Sequence, residues 1–157
     1  MASFTAVILA AGQGTRMKSD LPKVLHRLAG RPLVAYAVET ATAVTGQRPV
    51  LVVGYGGEQV RAALGDRAEY VDQAEQLGTG HAVLQAQPLL AGRAGHVMVS
   101  YADMPLLTRQ TLSALAASHE AAGAVLSLLT VNAQDPRGFG RIVRDAAGRV
   151  SAIVEEA

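Results

Sequence analysis

The sequence has no cysteine. Disulfides, thiolate metal sites and cysteine nucleophiles are excluded together, and the chain is expected in a reducing compartment such as the cytoplasm. An excess of charge is missing too. Lys and Arg number 14 against 13 Asp and Glu, the net charge is +1, and no block of like charges stands out. A field that weak gives no reason to expect nucleic acid or an anionic membrane as partner. Long apolar runs are also absent. "FTAVILAA" (residues 4–11) is too short to cross a bilayer and no basic segment precedes it, so it reads as a buried strand. What is present is a chain of 157 residues, half of them hydrophobic and 17% charged, which suits one soluble globular domain with a core.

Short β-branched runs alternate with helical periodicity. "FTAVILA", "RPVLVVG", "EYVDQA", "HVMVSYAD" and "AGAVLSLLTV" read as five strands bounded by glycine or proline. Between them, residues 32–45 begin with a proline suited to a first helical turn, and "GGEQVRAALG" is a short helix closed by Gly65. Residues 79–90 form a third helix, and residues 108–122 a fourth, capped by Thr108 and closed by Gly123. The order predicts a doubly wound, mostly parallel α/β sheet with helices on both faces, a Rossmann-like arrangement. "FGRIVRDAAGRVSAIVEEA" reads differently, as an antiparallel hairpin turning at Ala147-Gly148 and added to that core. No repeat or linker is evident. Because strand-like residues run to the last position, the domain at 1–157 is expected to be incomplete at its C-terminal end.

In such sheets ligands sit beyond the carboxyl ends of the strands, so the loop after the first strand is the first place to look. It reads "LAAGQGTRMKSDLPKVLH" from Leu9 to His26. Gly12 and Gly14 let backbone amides approach a ligand, while Arg16 and Lys23 supply positive charge; together they suit a phosphorylated ligand. It is not a dinucleotide fingerprint, since Met17 stands at the third glycine and no acid closes the second strand. Nor is it a Walker A loop. Taken alone, two glycines serve equally well as simple turn formers.

Three other stretches carry polar groups at loop positions. In "DQAEQLGTGHA" (residues 72–82), Gly78-Thr79-Gly80 makes a turn and helix cap, and the Gln73 amide offers both a donor and an acceptor to a base edge. His81 is assigned to packing or capping. "SYADMPLL" puts Asp103 at the carboxyl end of a strand, where it either forms a turn or holds Mg²⁺ together with phosphate oxygens. "DPRGFGRIV" carries Gly138 and Gly140, which permit a bulge or turn. The remaining histidines, His26, His96 and His119, are scattered, and nothing supports nucleophilic hydrolysis.

The first loop resembles the signature of the sugar-phosphate nucleotidyltransferases: Leu-Ala-Ala-Gly, any residue, Gly-Thr-Arg-Met, then Pro-Lys. With "VLH" and "DQAEQLGTGHA", the chain is similar over nearly all its length to the bacterial N-acetylglucosamine-1-phosphate uridyltransferases. The resemblance implies UTP and N-acetylglucosamine 1-phosphate as substrates, Mg²⁺ as cofactor, and UDP-N-acetylglucosamine and pyrophosphate as products. It implies that Leu9, Ala10, Ala11, Gly12, Gly14, Lys23, Gln73, Gly78 and Thr79 bind the nucleotide. It assigns Tyr101, Ala102, Gly140 and Glu155 to the sugar, Asp103 to the metal, and catalysis to Arg16, Lys23 and Asp103. Ala102 departs from the pattern, where glycine is usual. The resemblance also implies that full-length relatives carry a second, acetyltransferase domain through which they trimerise, a domain not expected within these 157 residues. Two other readings stand beside this one: a non-catalytic nucleotide-binding module, and a transferase of another base, such as the guanylyl- and cytidylyltransferases of molybdenum cofactor or isoprenoid synthesis.

Overall fold

A computed structural model describes residues 3–93 and 95–155. The chain divides into two compact units, residues 1–125 and 126–157.

The first unit is built on four parallel strands. β1 (Phe4–Ala10) is flanked by β4 (Val50–Val53) and β6 (His96–Tyr101), and β5 (Glu69–Asp72) lies outside β4. Both faces of β1 are covered. Ala6, Ile8 and Ala10 join one apolar cluster with residues of α1 (Leu33–Thr45) and α2 (Gly57–Leu64). Val7 and Ala11 join another with Ala82 and Ala86, from and between α3 (Thr79–Gln85) and α4 (Gln87–Leu90). A strand buried on two faces needs apolar side chains at consecutive positions, and "AVILA" supplies them. α5 (Arg109–Ala122) packs against α1; the Thr108 hydroxyl accepts from the Thr111 amide at 3.2 Å, and Gly123 closes the helix with a left-handed φ of 55°. No helix among the described residues is long and apolar enough to cross a membrane.

Strand order reverses at β1. The chain steps from β1 to β4 and β5 on one side, then returns to place β6 on the other. The crevice at the carboxyl ends of β1 and β6 is the topological switch point, where a doubly wound sheet leaves room for a ligand.

Two expected elements are corrected. The expected fifth strand, "AGAVLSLLTV", does not form: Ala122 ends α5, and residues 124–140 carry no helix or strand. A strand requires a ladder partner, and this segment has none among the described residues, where Val125, Leu126 and Val131 are largely exposed. The expected helix over 79–90 is two, joined at Ala86, because Pro88 has no N–H for the Leu84 carbonyl and the helix must restart. A two-residue ladder, β2 (Arg27–Leu28) with β3 (Arg31–Pro32), was not foreseen. Its turn puts Ala29 at φ 48° and Gly30 at φ 81°. Ala-Gly is a weak signal for such a turn, which usually selects asparagine or glycine at both places. The histidines are also less scattered than they read: His119 Nε2 lies 3.2 Å from His96 Nδ1, and Phe4 stacks on His96.

The second unit holds the expected hairpin. β7 (Arg141–Arg144) pairs antiparallel with β8 (Val150–Val154), and the turn runs through Asp145 and Gly148. Among the described residues the two strands pair only with each other, as a separate two-stranded sheet rather than an extension of the parallel one.

Candidate active site

A pocket of about 330 Å³ opens at the switch point. Its floor comes from the first loop: Leu9, Ala10, Ala11, Gly12 and Gly14, then Lys23 and Val24. One wall is the turn after β5, with Gln73, Gln76, Gly78 and Thr79. Tyr101 and Asp103 close it from the end of β6.

Local sequence explains how the first loop is held. Gly14 has φ 64°, and a Cβ there would lie 2.5 Å from Lys23 Cβ, so glycine is needed both for the conformation and for the close approach. Pro22 is buried against Gly56, where a Cβ would meet Pro22 Cγ at 2.2 Å. Pro22 and the short 3₁₀ turn it introduces, Lys23–Leu25, therefore set where Lys23 starts. The loop's backbone is tied to both neighbouring strands' ends: Tyr55 N donates to Ala11 O at 3.3 Å and Ala102 N to Leu9 O at 3.0 Å.

Lys23 Nζ donates to Asp103 Oδ2 at 2.5 Å. The pair bridges 80 residues of sequence and is about one-third exposed. Asp103 is the one carboxylate lining the pocket, and among the described residues no group of three His, Asp or Glu side chains could hold a metal ion. A lone carboxylate fits Mg²⁺, which keeps waters and takes substrate phosphate oxygens, and does not fit an ion that requires a full cage of protein ligands.

Gln73 is buried, and its backbone N donates to Val53 O at 2.7 Å. Its Nε2 donates to Gly78 O at 3.1 Å and lies 3.0 Å from His81 Nδ1. Gln85 Nε2 is placed 3.0 Å from the other ring nitrogen, Nε2. Gln76 reaches back 65 residues to donate to Ala11 O at 2.9 Å, joining the two loops that form the pocket.

The structure thus brings together Leu9 to Gly12, Gly14, Lys23, Gln73, Gly78, Thr79, Tyr101 and Asp103. Arg16 stands apart from the pocket lining, exposed in the 3₁₀ turn Thr15–Met17. Ala102 does not reach the pocket through its side chain. Its methyl is fully buried in the core cluster beside α1 and α2, so the residue that replaces the usual glycine points away from any ligand. Gly140 and Glu155 lie in the second unit and face each other: a Cβ on Gly140 would sit 3.3 Å from Glu155 Oε2. Gln76 is the residue that the sequence reading missed, while His81, assigned there to packing or capping, lies with its ring nitrogens against the Gln73 and Gln85 amides. Both belong to the "DQAEQLGTGHA" stretch, so the stretch was the signal and only the individual contacts were hidden.

A glycine-marked loop, one lysine, one acid and a polar wall meet at the switch point of a doubly wound sheet, the arrangement of an α/β domain with room for a ligand. The chain belongs to the MobA-like NTP transferase domain family, which it matches over residues 6–152. It is 55% identical over 152 residues to the bifunctional protein GlmU of Heliobacterium modesticaldum and 54% identical over 151 residues to that of Pelotomaculum thermopropionicum. These matches cover 97% and 96% of this chain and 33% of each relative, so the chain spans about a third of their length. In fold it is similar to Rv0371c of Mycobacterium tuberculosis, with a TM-score of 0.66 at 23% identity, covering 77% of this chain and 63% of that one. Rv0371c has also been solved as a complex with manganese.

Proposed function

We propose that this chain carries a uridylyltransferase site that joins UTP to N-acetylglucosamine 1-phosphate, giving UDP-N-acetylglucosamine and pyrophosphate. The observation that carries the reading is the meeting, in one pocket, of the glycine-marked first loop, the Gln73–Thr79 turn and Asp103. The high identity to the GlmU proteins supports it, and the resemblance supplies the substrates.

In this reading Leu9 to Gly12 pack near the nucleoside, and Gln73, Gly78 and Thr79 read the uracil. The sugar phosphate is already a nucleophile. One of its phosphate oxygens attacks the α-phosphorus of UTP, and the bond to the β-phosphate bridging oxygen breaks. No general base is required; catalysis is alignment and charge stabilisation. Lys23 holds the α-phosphate, where negative charge accumulates, and Arg16 holds the departing pyrophosphate. Asp103 would hold Mg²⁺, which neutralises phosphate charge and orients the oxygens. Before substrate arrives, Lys23 and Asp103 neutralise each other, so each has a partner in both states. Tyr101, which lines the pocket, meets the sugar in this reading, and Gly140 and Glu155 keep their sugar assignment from the motif match alone.

The test is direct. The chain is incubated with UTP, N-acetylglucosamine 1-phosphate and Mg²⁺, pyrophosphate release is followed, and thermal melts are run with Mg²⁺ and each of UTP, dTTP, CTP, GTP and ATP. At about 100 times its dissociation constant, UTP stabilises the fold by roughly 2.7 kcal/mol and raises the midpoint. Selective stabilisation by UTP with pyrophosphate release supports the assignment. Stabilisation without release reduces it to a nucleotide-binding module, and no response to UTP sinks it.

A further inference from the structure

The Gln73 carboxamide can be oriented from its partners. The atom 3.1 Å from Gly78 O must be the nitrogen, because a carbonyl only accepts. The second hydrogen of that NH₂ points to His81 Nδ1 at 3.0 Å. Nδ1 must then offer a lone pair, so His81 is neutral with its proton on Nε2. Nε2–H in turn needs an acceptor, and the Gln85 carboxamide 3.0 Å away supplies one when its oxygen and nitrogen are exchanged. That exchange gives up the long 3.3 Å contact from Gln85 to the His81 carbonyl and sets two acceptor oxygens at that distance, in return for a 3.0 Å partner for Nε2–H.

Both hydrogens of Gln73 Nε2 are therefore engaged, and the Gln73 oxygen has no hydrogen-bond partner among the described residues. It is not among the fully enclosed unpartnered atoms, so it remains accessible on a residue that lines the pocket. What the pocket presents from Gln73 is an acceptor. Uracil has a donor at N3, whereas cytosine has an acceptor there. A fixed acceptor facing that edge pairs with the first base and repels the second, and a site that leaves its buried polar groups unpaired against the wrong ligand discriminates strongly.

We propose that His81 is a positioning residue that sets the pocket's choice of uracil over cytosine, by holding the Gln73 carboxamide with its oxygen toward the base. The inference rests on the uridine reading above. It needs no contact between His81 and the nucleotide.

Two measurements test it on the chain without further domains or partners. The first is ¹⁵N NMR of His81 in the unliganded protein. The expected pattern is an unprotonated, pyridine-like Nδ1 and a protonated Nε2; a protonated Nδ1 overturns the proposal without any variant. The second is the ratio of CTP to UTP dissociation constants, with Mg²⁺, for the unaltered chain, His81→Leu and His81→Asn. His81→Leu removes the acceptor, and the preference for UTP is expected to fall at least tenfold. His81→Asn can place its side-chain oxygen where Nδ1 stood, and is expected to keep the preference within about threefold. The dTTP to UTP ratio should not move in either variant, since both bases carry the N3 donor. An unaltered chain without preference for UTP defeats the uridine reading itself. A selective unaltered chain with an equally selective His81→Leu overturns the role of His81 and leaves that reading intact. If His81→Leu does not fold, the NMR result and a selective His81→Asn decide in favour, and a non-selective His81→Asn decides against.

Discussion

Gly14 shows how one atom controls the site. Alanine there would have to adopt φ 64°, at a cost of about 1 kcal/mol or more, and its Cβ would collide with Lys23 Cβ at 2.5 Å. The collision is with the root of the lysine side chain rather than its flexible tip, so Lys23 as a whole must move. Displacement of a charge-stabilising group by about 1 Å can cost on the order of a hundredfold in rate. Gly14→Ala is expected to lower turnover at least tenfold while the protein stays folded; a steady-state assay beside a thermal melt checks both. Removing the charges has a larger effect. Lys23→Ala and Arg16→Ala are each expected to lower kcat about a hundredfold or more while the UTP dissociation constant changes much less, because the interactions grow as charge develops. Equal losses in affinity and turnover would assign the two residues to binding alone. The contrast between them is informative, since Lys23 lines the pocket beside Asp103 and Arg16 stands outside its lining.

At the scale of the element, the ends of strands and helices are where single contacts matter. Thr108 caps α5 through the Thr111 amide at 3.2 Å, and Thr108→Ala should cost about 1 kcal/mol, read from the denaturant midpoint. β5 is tied at its start by a two-pronged pair: Arg93 Nη1 and Nη2 donate to Glu69 Oε1 and Oε2 at 2.8 and 2.7 Å. The Arg93 hydrogen bonds hold the Glu69 carboxyl below its ordinary value. A carboxyl lowered on folding stabilises the native state above its unfolded pKa, and the gain is lost as pH falls through the lowered native value. Both side chains are partly exposed, so the pair contributes no more than about 1 kcal/mol. Glu69→Gln should therefore destabilise the protein modestly at pH 7 and converge with the parent in strong acid; a difference independent of pH would assign the cost to packing instead. The elements also show what sequence can disclose. β1 and β4 were legible because a strand covered on both faces must be apolar at successive positions, β6, whose Val97, Val99 and Tyr101 are exposed at the sheet edge, from its β-branched run, and α5 because its cap and its closing glycine are local. "AGAVLSLLTV" has a similar composition and no ladder partner among the described residues, and partnership is not written in composition. The site divides the same way. The first loop, Gln73 and Asp103 were legible as motif positions. Gln76 reaching Ala11 across 65 residues, and His81 bracing Gln73, depend on side chains meeting in space.

Across the whole molecule, burial is unevenly distributed. Both apolar clusters, and every residue lining the pocket, belong to residues 1–125. Among the described residues from 126 to 155 none is buried, and β7 and β8 pair only with each other through a ladder interrupted between Val143 and Arg144. A two-stranded hairpin without an apolar face against a core is marginal in water. Local opening there is expected to cost only a small part of the global unfolding free energy, whereas β1 and β4, hydrogen-bonded on both sides and covered on both faces, open only when the first unit unfolds. Hydrogen exchange on the chain should find the amides of residues 141–154 exchanging orders of magnitude faster than those of 6–10 and 50–53. Adding UTP and Mg²⁺ should slow exchange in the loops at 9–25 and 73–79. Protection of the hairpin equal to that of β1 would mean that the two units unfold as one, and the uneven burial would then be no guide to cooperativity. The expected pattern instead places the nucleotide response and global stability in the same unit, so that ligand and fold are linked through β1, which ends in the glycine-marked first loop and is covered on both faces by the core.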